Sequence, residues 1–286
     1  MLEVANILIL IQIGIFIFFI ILALIYSIPI LLIRRFHNIN NIFTANLCFA
    51  TICCSICWLL NLILVYFYPN LLSYIKICVA LNYLRTTCTL QVPLAIIQIS
   101  VNRFCSVVYH TKFFFKTKQW AMICISTQWI LGISISSIWP IIFHSTCEVP
   151  IWIEVYGFLL TVIIPSLSFT IINIMTFKYV HSSTNRVRSL SVVSRNNRHR
   201  HIKRRDLHLL RHMIVMFCIF VGGWSPIFVY SLIVFTTPNV IIIQILMILI
   251  QISAILGVMN LFFYNHELRK YLFEKILFVM KCFVIR

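Results

Sequence analysis

Residues 212–266 read HMIVMFCIFVGGWSPIFVYSLIVFTTPNVIIIQILMILIQISAILGVMNLFFYNH, without one Asp, Glu, Lys or Arg. A helix needs about 20 apolar residues to cross hydrocarbon, so this run is long enough for two crossings. Thr236-Thr237-Pro238-Asn239 supplies turn chemistry near its middle. Five more charge-free stretches lie upstream: Val4 to Ile33, Phe36 to Ile75, Thr86 to Asn102, Gln119 to Cys147 and Val155 to Phe177. Spans are therefore expected near 5–33, 43–67, 75–106, 119–142, 151–180, 207–235 and 240–264. Lipid offers no partner to an exposed peptide group, so helix is the expected state and the Ile, Phe and Val content does not argue for sheet. The first stretch has no basic start and no small-residue cleavage site, and is read as a retained span rather than a leader.

Composition agrees: 62% of residues are hydrophobic, 10% are charged, and the mean hydropathy is +1.01. The expected fold class is an all-α membrane protein, a seven-transmembrane helix bundle over 1–264 with a basic cytoplasmic loop at 181–206. Residues 265–286 form a short amphipathic eighth helix and tail, since Leu268, Tyr271, Leu272, Ile276 and Val279 recur at helical spacing among Glu267, Arg269, Lys270 and Glu274. Cys282 beyond it either carries a reversible palmitoyl chain or is an unmodified thiol near lipid.

A net charge of +17 suggests a nucleic-acid partner until the charges are placed on the spans. Of 23 Lys and Arg, only Lys76 and Arg85 fall outside the odd-to-even connections, their flanks and the tail. By the positive-inside rule that side is the cytoplasm, which puts the amino terminus outside and makes membrane lipid, not nucleic acid, the surface the cations face. The 181–206 loop is rich in Ser, Asn, Arg and His. Its Ser189 and Ser191, after Arg186 and Arg188, fit a basophilic kinase site, although a solvated basic loop is the favoured reading.

Eleven Cys is an odd count, and most sit inside spans as small packing residues. The Cys54-x-x-Cys57 spacing lies in an apolar helix with no His or carboxylate nearby, so no metal or redox site is expected. Only Cys78 and Cys147 are expected at the outer surface, where an oxidising compartment permits a bridge that would pin the fourth-to-fifth loop over the bundle.

The third span carries the most specific signal. Arg103 follows Cys78 by 25 residues, and Arg85 stands between them, about 27 Å of helix from Arg103. From here the chain resembles the rhodopsin-like (class A) G-protein-coupled receptors. Asn102-Arg103-Phe104 stands where that family has Asp-Arg-Tyr, at the family's distance from Cys78. Asn46-Leu47-x-x-Ala50, Trp129, Pro165, Phe220-x-x-x-Trp224-Ser225-Pro226 and Asn260-x-x-x-Tyr264 follow in family order. Departures accompany them: Thr51 replaces an Asp, Leu261 a Pro, Asn173 a Tyr and Asn102 an acid, Pro93 replaces the usual Ile, and the first span lacks the usual Asn.

The resemblance implies a receptor that catalyses nothing, needs no cofactor or metal, and passes extracellular ligand binding to a heterotrimeric G protein from the plasma membrane. It places Arg85, Thr89, Glu154, Trp224, Phe228, Ser231 and Gln251 around the ligand. Arg85 argues against a simple cationic amine and suits a carboxylate, phosphate or acidic peptide group, unless it pairs internally with Glu154. With few residues before the first span, a small molecule or small peptide entering between the helices is expected. Ala254 occupies the place of an opsin's lysine, which argues against photoreception.

The expected switch comprises Asn102, Arg103, Asp206, Phe220, Trp224, Pro226, Asn260 and Tyr264. Asp206 either latches Arg103 in the resting state or only favours a helix start. Pro226 removes the backbone bond to Gly222 and kinks the sixth helix, and Trp224 and Phe220 would couple ligand contact to its swing. Thr51 cannot balance a desolvated cation as a carboxylate does, so the family's intramembrane sodium site is expected to be lost. The competing reading is a multi-span channel or transporter, which would need intramembrane carboxylates or a polar pore. Gly222-Gly223-Trp224-Ser225-Pro226 is only superficially a nucleophile motif.

Overall fold

The computed structural model describes residues 2–109, 111–138, 141, 151–188, 196–234 and 239–284, with the side chains of 2, 3, 5, 151, 180–188, 196–210, 212, 213 and 276–284 outside that description. Its elements are helices: α1 (Leu2–Leu32), α2 (Ile39–Phe67), α3 (Ile75–Val108), α4 (Lys118–Ser136), α5 (Ile151–Phe158, a π turn at Leu159–Ile163, then Ile164–Arg188), α6 (Asn196–Ile233), α7 (Val240–Tyr264) and α8 (His266–Val284). A single turn at Pro69–Leu72 joins α2 to α3, and 3-10 turns at Arg34–Phe36 and Phe113–Lys116 precede α2 and α4. No strand occurs among the described residues.

Six of these helices are long and apolar enough to cross a membrane: within α1, α2, α3, α5, α6 and α7. The remaining bundle helix, α4, carries Gln119, Ser126, Thr127, Gln128, Ser134 and Ser136 in its described length, and it turns Gln128 and Ser136 into the bundle, where both are buried. The outward faces are apolar, with Leu10, Leu31, Phe18, Ile130, Leu167 and Phe263 all exposed. In water so large an apolar surface would drive association; facing acyl chains it is the expected exterior.

Helix starts follow local chemistry. Asn38 accepts from the Asn41 N–H at 2.9 Å, Thr117 from Trp120 at 3.3 Å and Asn239 from Ile241 at 3.0 Å, each meeting an amide that the helix leaves unpaired. The π turn in α5 lies immediately before Pro165. A proline lacks the N–H for the preceding turn and its ring crowds the carbonyl four residues back, and the wider turn gives both room.

Packing puts α3 at the centre, against α2, α4 and α5, while α1, α2, α7 and α6 close the ring around it. Polar fasteners cross between helices. Asn46 of α2 donates to Gln128 of α4 at 2.7 Å and accepts from the Trp129 indole at 3.1 Å, and Gln128 donates to the Gln91 carbonyl at 3.1 Å. Gln244 of α7 binds Gln12 of α1 and Tyr66 of α2 at one end of the bundle. At the other, Asn265 donates to Asn41 at 3.3 Å and accepts from the Leu268 amide at 3.3 Å, where Leu268 is fully buried.

Two helices outrun the expected spans. α5 continues to Arg188 and α6 begins at Asn196, so much of 181–206 is helical. A helix already nucleated in the bundle adds residues at little cost, and the Arg and Lys of this segment are good helix formers.

Candidate functional site

A cavity of about 70 Å³ lies between α1, α2, α3, α6 and α7. Its wall includes Thr51 and Trp58 from α2, Val92 and Ile96 from α3, Phe220 and Trp224 from α6, and Gln251, Ser253 and Gly257 from α7. No residue of the described lining carries a charge. The hydroxyls of Thr51 and Ser253 are occupied within their own helices: Thr51 donates to the Leu47 and Cys48 carbonyls at 3.0 and 2.9 Å, and Ser253 to Ile250 at 2.8 Å.

Gln251 differs. It is only 3% exposed, it lines the cavity, and neither its amide nitrogen nor its amide oxygen has a hydrogen-bond partner. Such a group forfeits the water it had in the unfolded chain and receives nothing in return.

Of the residues expected around a ligand, Trp224 and Gln251 therefore meet in one cavity wall, whereas Arg85, Thr89, Glu154, Phe228 and Ser231 lie outside the described lining. Arg85 stacks its guanidinium over the Trp58 ring, 4.8 Å from the centroid, and its charge interacts with that of Glu154. The same indole donates to the Thr89 hydroxyl at 3.2 Å. Phe228 sits beside Phe158 of α5, with ring centroids 5.9 Å apart. Trp58, which joins the Arg85 layer to the cavity, escaped sequence reasoning, since one aromatic in an apolar helix carries no distinguishing pattern. Cys54 and Cys57 are free thiols, with Cys57 3.5 Å from Cys88 of α3.

Trp224 and Phe220 are buried one turn apart, with ring centroids at 6.0 Å, and Pro226 lies within α6 directly after them. Phe217 of α6 stacks on Phe169 of α5 at 4.1 Å. Toward the other end of α3, Arg103 is half-buried. Its neighbour Asn102 is 3% exposed, donates to Asn40 of α2 at 3.1 Å and accepts from the Trp120 indole of α4 at 3.3 Å. Asn40 and Trp120 carried no signal in the sequence, because they reach Asn102 only once three helices pack.

Asp206 belongs to α6, but its side chain lies outside the described residues, as do the side chain of Cys282 and all of Cys147. Cys78 is disulfide-bonded. Asn260 is buried in α7 with no partner for its amide nitrogen, and Tyr264 ends that helix.

The model of one protein family, the 7 transmembrane receptor (rhodopsin family), matches residues 22–263. No curated protein matches the chain.

Proposed function

Because the chain belongs to the rhodopsin family of seven-transmembrane receptors and is thus a multi-pass membrane receptor, we propose that it converts binding of an extracellular small peptide or anionic small molecule into engagement of a cytoplasmic heterotrimeric G protein. One observation carries this reading: Trp224 and Phe220 wall the central cavity and precede Pro226 on the same helix. A molecule that fills the cavity pushes on the helix segment that the proline leaves free to bend. A channel or transporter is not favoured by the family assignment, and no charged residue appears in the described lining.

In this reading the receptor sits in the plasma membrane with its amino terminus outside, as the distribution of Lys and Arg supports. Arg85 and Glu154 receive the ligand at the outer mouth, with Thr89, Phe228 and Ser231 around its path. Cys78 pairs with Cys147 to hold the outer loop over that mouth. Arg103 and Asp206 form the resting latch, and Asn260 and Tyr264 of α7 rearrange with them. α8 lies on the inner leaflet, where Cys282 is available for acylation.

The test needs no ligand. Wild type, Asp206→Asn and Arg103→Ala are expressed with an amino-terminal tag, surface delivery is measured on intact cells, and recruitment of a panel of G-protein surrogates is recorded. Asp206→Asn is expected to raise recruitment and Arg103→Ala to abolish it. If all three reach the surface and recruit nothing, coupling to G proteins is refuted.

A further inference from the structure

We propose that the cavity selects an uncharged primary amide or lactam on a compact apolar body, and that this group pairs through its own N–H and C=O with the carboxamide of Gln251. The inference rests on the cavity being the ligand site, and it specifies which end of the ligand goes in. Three observations lead to it.

The first is the state of Gln251. A buried amide with neither a donor nor an acceptor to meet is a vacancy for one partner that offers both. A ketone or ether satisfies only the N–H side and an alkyl group neither. A second amide satisfies both at once, through two parallel bonds.

The second is the surrounding surface. Leu47, Val92, Ile96, Met247 and Ile250 line the same space, and no Lys, Arg, Asp or Glu does among the described residues. Moving an ionised carboxylate or amine into such a wall carries a large desolvation cost that a single neutral amide does not offset. The Trp58 indole lines the cavity with Arg85 stacked over its face. An acidic end of the ligand is thereby met at the Arg85 layer, while the end that passes deeper is neutral.

The third is size. A cavity of about 70 Å³ is under half of the ~150 Å³ that accommodates benzene. The group that enters is therefore a handful of heavy atoms, and the rest of the ligand lies above it.

The full chain is reconstituted in lipid nanodiscs and titrated with propanamide, butanone and propanoate, which match in size and differ in hydrogen bonding and charge. Binding is read by saturation-transfer NMR and thermal unfolding, with empty nanodiscs as the control for partition into lipid. Two variants accompany the wild type. Gln251→Leu removes the amide, and Gly257→Leu fills the cavity from a position where an added Cβ meets nothing within 4 Å.

Propanamide is expected to bind about tenfold more tightly than butanone, the worth of one further hydrogen bond, and propanoate more weakly than either. Gln251→Leu is expected to abolish the amide's advantage, costing butanone only the one bond it accepts and propanamide both of its own, and to unfold later than wild type without any probe, because an unpaired polar group has gone. If amide and ketone bind alike, and both are lost in Gly257→Leu, the cavity is a ligand site but Gln251 does not read the ligand, and the inference is overturned. Preference for propanoate overturns it in favour of an anionic guest. If no probe binds wild type above the nanodisc control, while Gly257→Leu stays folded, the cavity is not the ligand site and the inference fails with it.

Discussion

Gly223 of α6 packs directly against Ser253 of α7. A Cβ there would run into the side chain of Ser253 and lie 3.6 Å from the Leu249 carbonyl. Because Gly223→Val forces the two backbones apart beside the cavity, it is expected to cost about 1–3 kcal/mol of stability. Gly14 in α1 has open space around the same atom, so Gly14→Ala is expected to be neutral or to stabilise by up to about 1 kcal/mol. Thermal unfolding of both variants in one detergent checks the pair, and equal effects would contradict the assigned packing. At this scale the sequence was only partly informative. Asn46 and Trp129 stand out as separate motif residues and bond directly, yet what carries the link on to α3 is the Gln128 side chain, which has no motif of its own. Gln251 is one polar residue among many in an apolar helix, and its lack of a partner arises only when α7 is docked.

Among the elements, α6 carries a proline inside the helix beside the cavity. Pro226 has no N–H to return to the Gly222 carbonyl, so the helix lacks one backbone bond next to Trp224 and Phe220, which line the cavity. Pro226→Ala restores that bond and is expected to straighten and stiffen the helix. The receptor should then unfold at a higher temperature while recruiting fewer G-protein surrogates than wild type at equal surface level; a rise in both would count against the hinge. Helix number and order were legible because charge stops abruptly where lipid begins, and turn residues break the one run that is two spans long. The ends of α5 and α6 in the basic segment were not, since basic, polar sequence reads as loop although the same residues extend both helices once these are anchored. The π turn of α5 was also hidden, because Pro165 announces a missing bond but not how the helix absorbs it.

Among the described residues of the whole molecule, every fully buried polar side chain is uncharged, while Arg85, Arg103 and Glu154 are only partly buried. Where the family resemblance leads one to expect a carboxylate, Thr51 instead donates to its own helix, and the described lining around it is uncharged. Exchanging sodium for a bulky organic cation at constant ionic strength is therefore expected to leave thermal stability and ligand-independent recruitment unchanged; a shift in either would reveal a cation site. The same neutrality reaches the far end of α3. Asn102 ties α2, α3 and α4 together through Asn40 and Trp120. A carboxylic acid in that place would take up a proton as its surroundings acidified, and the junction would change strength with pH. A carboxamide has no proton to exchange at any pH a living cell reaches. The bonds that Asn102 makes across the three helices are therefore deaf to acidity, whichever side of the membrane that end of the bundle faces.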